Sequence, residues 1–135
     1  MKMTMRLFFV FVALGSAVRA ADGPADVVFA AEAASPIANG VGVPAGRTYF
    51  WTSGTVPSVV NKNGATTYER YGDTYAQGVS ALKNVAAVLA AQGLTLKDVV
   101  YLRVYVAPDA AKGPKPDFPG WFKAYGEFST RRKTR

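Results

Sequence analysis

Apolar residues recur at three- and four-residue intervals between residues 73 and 92. Val79, Leu82, Val85, Ala86 and Leu89 fall on one face, which is the period of an amphipathic helix. Asp73 stands where an N-cap is wanted, and Gly93 where a left-handed C-terminal cap is wanted. Residues 98–106 change to a period of two. Val100, Leu102, Val104 and Val106 alternate with Val99, Tyr101, Arg103 and Tyr105, and both sets are bulky, so the pattern predicts a central strand covered on both faces. A second strand is predicted at 48–53, where Thr48, Tyr49, Phe50, Trp51 and Thr52 precede Ser53 and Gly54. A shorter β-like stretch covers 27–30. Residues 35–46 read as a Pro- and Gly-containing loop, and Asn61-Lys62-Asn63-Gly64 as a turn.

After a second loop at 107–116, Phe118, Trp121, Phe122, Tyr125 and Phe128 return to helical spacing from a start at Asp117. An aromatic stripe of this kind reads as core. The two strands are too few to bury two helices carrying that much apolar surface, so the pattern asks for more sheet than it shows. The deficit predicts apolar faces left in water, at about 25 cal/mol per Å², and a chain prone to aggregate.

One further apolar pattern has no polar alternation. Residues 7–14 form an uncharged run behind Lys2 and Arg6. The run is shorter than the ~20 residues that span a bilayer, and Val18-Arg19-Ala20 follows with peptidase-compatible side chains. This predicts a signal peptide over 1–20 cut before Ala21, hence an exported protein, periplasmic or secreted, with no stable membrane anchor after cleavage. The alternative is an uncleaved anchoring helix. Residues 21–34 are an Ala-rich N-terminal segment, 35–128 the domain, and 129–135 a basic tail.

Charge changes the picture only at the ends. The chain of 135 residues carries a formal net charge of +7. Three of its basic residues lie in 1–20 and four in 131–135, which leaves nine basic against nine acidic residues in 21–130. A neutral domain offers no electrostatic footprint for nucleic acid. The sequence contains no Cys and no His. That excludes disulfides, a lipidated cysteine, thiolate or imidazole metal sites and a Ser-His-Asp triad.

The segments 50–57 (Phe-Trp-Thr-Ser-Gly-Thr-Val-Pro), 77–85 (Gln-Gly-Val-Ser-Ala-Leu-Lys-Asn-Val), 89–93 (Leu-Ala-Ala-Gln-Gly), 98–106 and 125–128 (Tyr-Gly-Glu-Phe) resemble, in order and spacing, those of the RidA family. These are the YjgF-type proteins also labelled endoribonuclease L-PSP. The resemblance implies an α/β (α+β) chorismate-mutase-like fold, a β-sheet with two helices packed on one face, assembled as a homotrimer with sites between subunits. It implies hydrolysis of enamines and imines, such as 2-imino acids, to keto acids and ammonia, with no cofactor. Ser53 and Gly54 are the substrate-binding positions that carry over, for a small carboxylate or carbonyl ligand; no catalytic residue does.

The family's Pro-x-Arg-Ser-Thr segment, whose Arg binds the substrate carboxylate, has no match, nor do the two strands after it. Its Gly-Pro-Tyr-Ser loop is replaced near Ala38-Asn39-Gly40, and Phe122 stands where many members have Asn. Arg131 lies in the wrong context to replace the missing Arg. One back-translation of 128–135, read one base out of register, gives a family-like sequence, so a frameshift is one expected origin of the tail; the alternative is a natural short tail. Three functions stand as expectations: an imine deaminase, inactive if the carboxylate anchor is absent; a non-enzymatic trimeric module for a small ligand; and, from the family label alone, a ribonuclease, against which the neutral His-free domain argues.

Overall fold

A computed structural model describes residues 25–32, 35–109 and 111–129. The expected signal peptide, its cleavage point and the basic tail beyond residue 129 lie outside them. The described chain is a small mixed α+β fold: a two-stranded antiparallel sheet and three α-helices, with one short 3-10 turn. None of the helices among the described residues is long and apolar enough to cross a membrane.

Strand β1 (Val28–Ala30) pairs with β2 (Gly40–Gly42), with Phe29 opposite Val41. β1 falls in the β-like stretch read from the sequence. β2 falls inside the expected loop, because its glycines are held extended by pairing, including Asn39 N–H to the Ala30 carbonyl at 2.7 Å. The expected turn forms: Asn61 accepts from Asn63 N–H through its side chain at 3.0 Å. A short helix unforeseen in the sequence, α1 (Thr67–Tyr71), follows it, started by a reciprocal capping box between Thr66 and Glu69.

Helix α2 (Thr74–Ala90) is the main element and keeps its expected caps. The Asp73 carboxylate accepts from Ala76 N–H at 2.8 Å, and Gly93 adopts φ +70°, which lets Leu94 N–H reach the Leu89 carbonyl at 3.0 Å. Helix α3 (Phe118–Phe128) begins at Asp117, which caps Gly120 N–H at 3.0 Å. Lys112 bridges Asp73 and Asp117 at the N-termini of the two helices. Ala86, Ala90 and Phe128 line one groove toward their C-termini. The Tyr75 hydroxyl in the first turn of α2 also reaches Glu127 in the last turn of α3. The helices touch at Gly78, where an added Cβ would stand 2.9 Å from Ala124 Cβ and 3.3 Å from the Trp121 ring.

The core is thin. Leu82, Leu89 and Ala124 are its buried apolar residues. The α3 aromatic stripe is core only in part, since Trp121, Tyr125 and Phe128 are half-buried while Phe118 and Phe122 are exposed. The two principal strands expected from the sequence require correction. Residues 48–53 and 99–106 form no ladder, and Asp98 belongs to the 3-10 turn Leu96–Asp98. Alternation selects an extended backbone, but a strand needs a hydrogen-bonded neighbour, and the described residues provide none. For the same reason residues 98–106 are not covered on both faces: Tyr105 is 86% exposed.

Candidate functional site

Three contacts fix how the first extended segment lies on α2. The Asn84 side-chain amide donates to the Val56 carbonyl at 3.0 Å, and Ser58 N–H donates to Ser80 Oγ at 2.9 Å. Val60 then shares a groove with Tyr75, Ala76 and Val79. Four extended residues advance about 13 Å, and the matching eight residues of helix, from 84 back to 76, about 12 Å. The segment runs antiparallel to α2.

The second segment does the same. It leaves the C-terminal end of α2 through the 3-10 turn and finishes at Asp109, whose carboxylate accepts from Thr74 N–H (3.3 Å) and Thr74 Oγ1 (3.4 Å) at the start of α2. Ala111 N–H donates to the other Asp109 oxygen at 3.0 Å, so this buried carboxylate is fully partnered. Both segments are thus parallel to each other, the arrangement of a βαβ unit.

One ring contact joins the two segments: Trp51 and Tyr101 meet edge-on with centroids 6.4 Å apart. Tyr49 stacks on Trp51 at 6.1 Å, and the Arg103 guanidinium lies 5.8 Å from the Tyr101 ring centre. Arg103 Nε also donates to the Tyr101 hydroxyl at 3.0 Å. Hydrogen bonding to Tyr101, then to Tyr105, holds the Arg103 pKa above its ordinary value. The result is an exposed row of rings ending in a fixed cation, with no acidic residue in 47–60 or 99–107.

Ser53 and Gly54, the positions singled out from the sequence, both lie exposed on the first segment, and a Cβ on Gly54 would meet nothing within 4 Å. They border this row, but no described residue encloses them. Sequence reasoning did not single out Arg103, whose contacts are with Tyr101 and Tyr105 on its own segment. A separate cluster lies across α2 and α3. The Tyr75 hydroxyl donates to Glu127, which raises the Tyr75 pKa, and Lys123 Nζ sits 4.4 Å from the Tyr75 ring centre. It ties the helices together. Among the described residues no group of His, Cys, Asp or Glu is arranged to hold a metal ion. Neither a protein-family model nor a curated protein sequence matches this chain.

Proposed function

We propose that this is an exported protein of RidA type, with a site for a small carboxylate or carbonyl compound beside Ser53 and Gly54 and the family's imine chemistry as its activity. The observation that carries the reading is the arrangement of the two halves. A parallel pair of extended segments is joined by α2, α3 packs beside α2, Ser53-Gly54 lies on the first segment, and the Arg103 cation lies on the second. The order of segments that resembles the family is therefore also a workable three-dimensional unit. In the proposed reaction, water adds to the electrophilic imine carbon and the C–N bond breaks, giving keto acid and ammonia. An imine needs little more than a positioned water and a proton source, which suits a chain without His or Cys.

One observation favours the second reading, a trimeric module that holds its ligand without turning it over. The two extended segments carry a guanidinium and phenols, and neither 47–60 nor 99–107 contains a carboxylate to relay a proton. Ammonia release from a 2-imino acid generated in situ distinguishes the two. A rate above buffer that falls with Ser53→Ala supports the enzyme. Binding of the corresponding keto acid with no rate above buffer refutes the enzyme and retains the module. Absence of both refutes the site.

A further inference from the structure

The chain contains two Asn-Gly pairs, Asn39-Gly40 and Asn63-Gly64, and the fold holds them differently. Asn before Gly is open to a main-chain reaction, because no side chain shields the nitrogen that follows. At Asn63-Gly64 that nitrogen is tied down. Gly64 N–H donates to the Asn61 carbonyl at 3.3 Å, and Asn63 N–H to Asn61 Oδ1 at 3.0 Å. Gly64 also lies hard against α1, where an added Cβ would stand 2.8 Å from Glu69 Cβ and 2.9 Å from Arg70 N. Moving its nitrogen breaks the turn and drives the glycine into the helix that Thr66 and Glu69 cap.

At Asn39-Gly40 both residues are exposed, and a Cβ on Gly40 would meet nothing within 4 Å. Asn39 Nδ2 donates to Glu32 Oε1 at 3.5 Å, beyond the usual range for such a bond. Gly40 opens β2, a three-residue strand of a two-stranded sheet, and so small a sheet opens at little cost. We propose that Asn39-Gly40 is a self-modification site, where the Gly40 nitrogen attacks Asn39 Cγ to close a succinimide that water then opens to aspartate or isoaspartate. As the new N–Cγ bond forms, the Cγ–Nδ2 bond breaks. The Gly40 amide proton passes through water to the departing nitrogen, which leaves as ammonia. Water adding at Cγ gives aspartate. Water adding at the main-chain carbonyl leaves the chain running through Cγ, one methylene longer. Either product sets a second carboxylate beside Glu32, and like charges repel. Isoaspartate also displaces Gly40 from its place opposite Ala30, so the reaction unties β1 from β2. None of this depends on the imine-site reading.

Trypsin separates the two pairs. Cleavage after Arg47 leaves Asn39 as the one Asn of its peptide, and cleavage after Lys62 and Arg70 leaves Asn63 as the one Asn of 63–70. The full chain is aged at neutral pH, and each peptide is read by the mass gained when NH2 is exchanged for OH and by isoaspartyl methyltransferase labelling. A digest of unaged protein sets the background. The expected result is conversion at Asn39 at least about tenfold faster than at Asn63, with ammonia released in step and no substrate present. In urea the two rates converge, a comparison that needs no variant to fold. Gly40→Ala slows conversion at Asn39 at least about tenfold, in urea as well as in buffer. Equal rates in the folded chain, faster conversion at Asn63, or a difference that persists in urea overturns the inference. Asn39→Asp removes the ammonia that tracks conversion, so imine-dependent release is read separately and the two readings fail independently.

Discussion

Replacing Gly78 by Ala tests the helix contact on which the whole arrangement rests. The new methyl would lie 2.9 Å from Ala124 Cβ and 3.3 Å from the Trp121 ring, where carbon atoms prefer about 3.5–4.0 Å. Relieving that overlap means parting α2 from α3 or rotating Trp121, and overpacking of this kind costs about 1–3 kcal/mol. Against it stands the gain from removing a helical glycine, about 0.8–1.0 kcal/mol. Gly126 isolates the two effects. It is an exposed position in α3 where a Cβ meets nothing within 4 Å, so Gly126→Ala carries the helix gain alone. Gly126→Ala should stabilise, and Gly78→Ala should fall below it by about 1–3 kcal/mol. In a domain of this size that separates the melting midpoints by about 4–8 °C per kcal/mol. Far-UV circular dichroism and Trp fluorescence on thermal unfolding provide the readout, since the Trp121 ring lies against the substituted position. Coincident midpoints for the two variants would refute the close approach of α2 and α3.

Asp109→Ala removes two acceptor contacts to Thr74 at the start of α2 and one to Ala111 N–H and should cost about 1–3 kcal/mol, with Asp109→Asn intermediate; urea midpoints check both. The Asp117 carboxyl is held below its ordinary pKa first by its hydrogen bond from Lys112 and then by Gly120 N–H. Its contribution to stability is therefore present above about pH 3.9 and is lost as pH falls through the lower folded value. Lys112 is raised, chiefly by Asp117, so its contribution is present below about pH 10.4 and is lost as pH rises through the folded value. Asp117→Asn should flatten both limbs of a midpoint-against-pH curve, and unchanged limbs would remove the pair from the account. Under the enzyme reading, Ser53→Ala lowers ammonia release without shifting the melting midpoint, because Ser53 makes no hydrogen bond in the described fold.

Helices α2 and α3, though not α1, were legible in the sequence because their signals are local. Asp73, Asp117 and Gly93 act within a turn of their own positions, and period 3.6 needs no distant partner. Residues 48–53 and 99–106 were legible as extended chain but not as sheet, since pairing depends on residues far away or absent from the described fold. β2 was hidden because Gly40 and Gly42 become strand only through β1. In the candidate site, Ser53 and Gly54 were found by resemblance. Arg103 was not singled out, because its neighbours Tyr101 and Tyr105 read as one face of an expected strand.

The Asp109 clasp on Thr74 has a consequence for how any neighbouring strand is read. Register in a sheet is ordinarily negotiated between strands, and a slip of one residue turns every side chain over. Here the second segment is pinned at its far end to the start of a helix, and the first is pinned along the same helix at Val56 and Ser58. Neither can slide without breaking its contacts to α2. The helix acts as a ruler that fixes where each segment lies along its length.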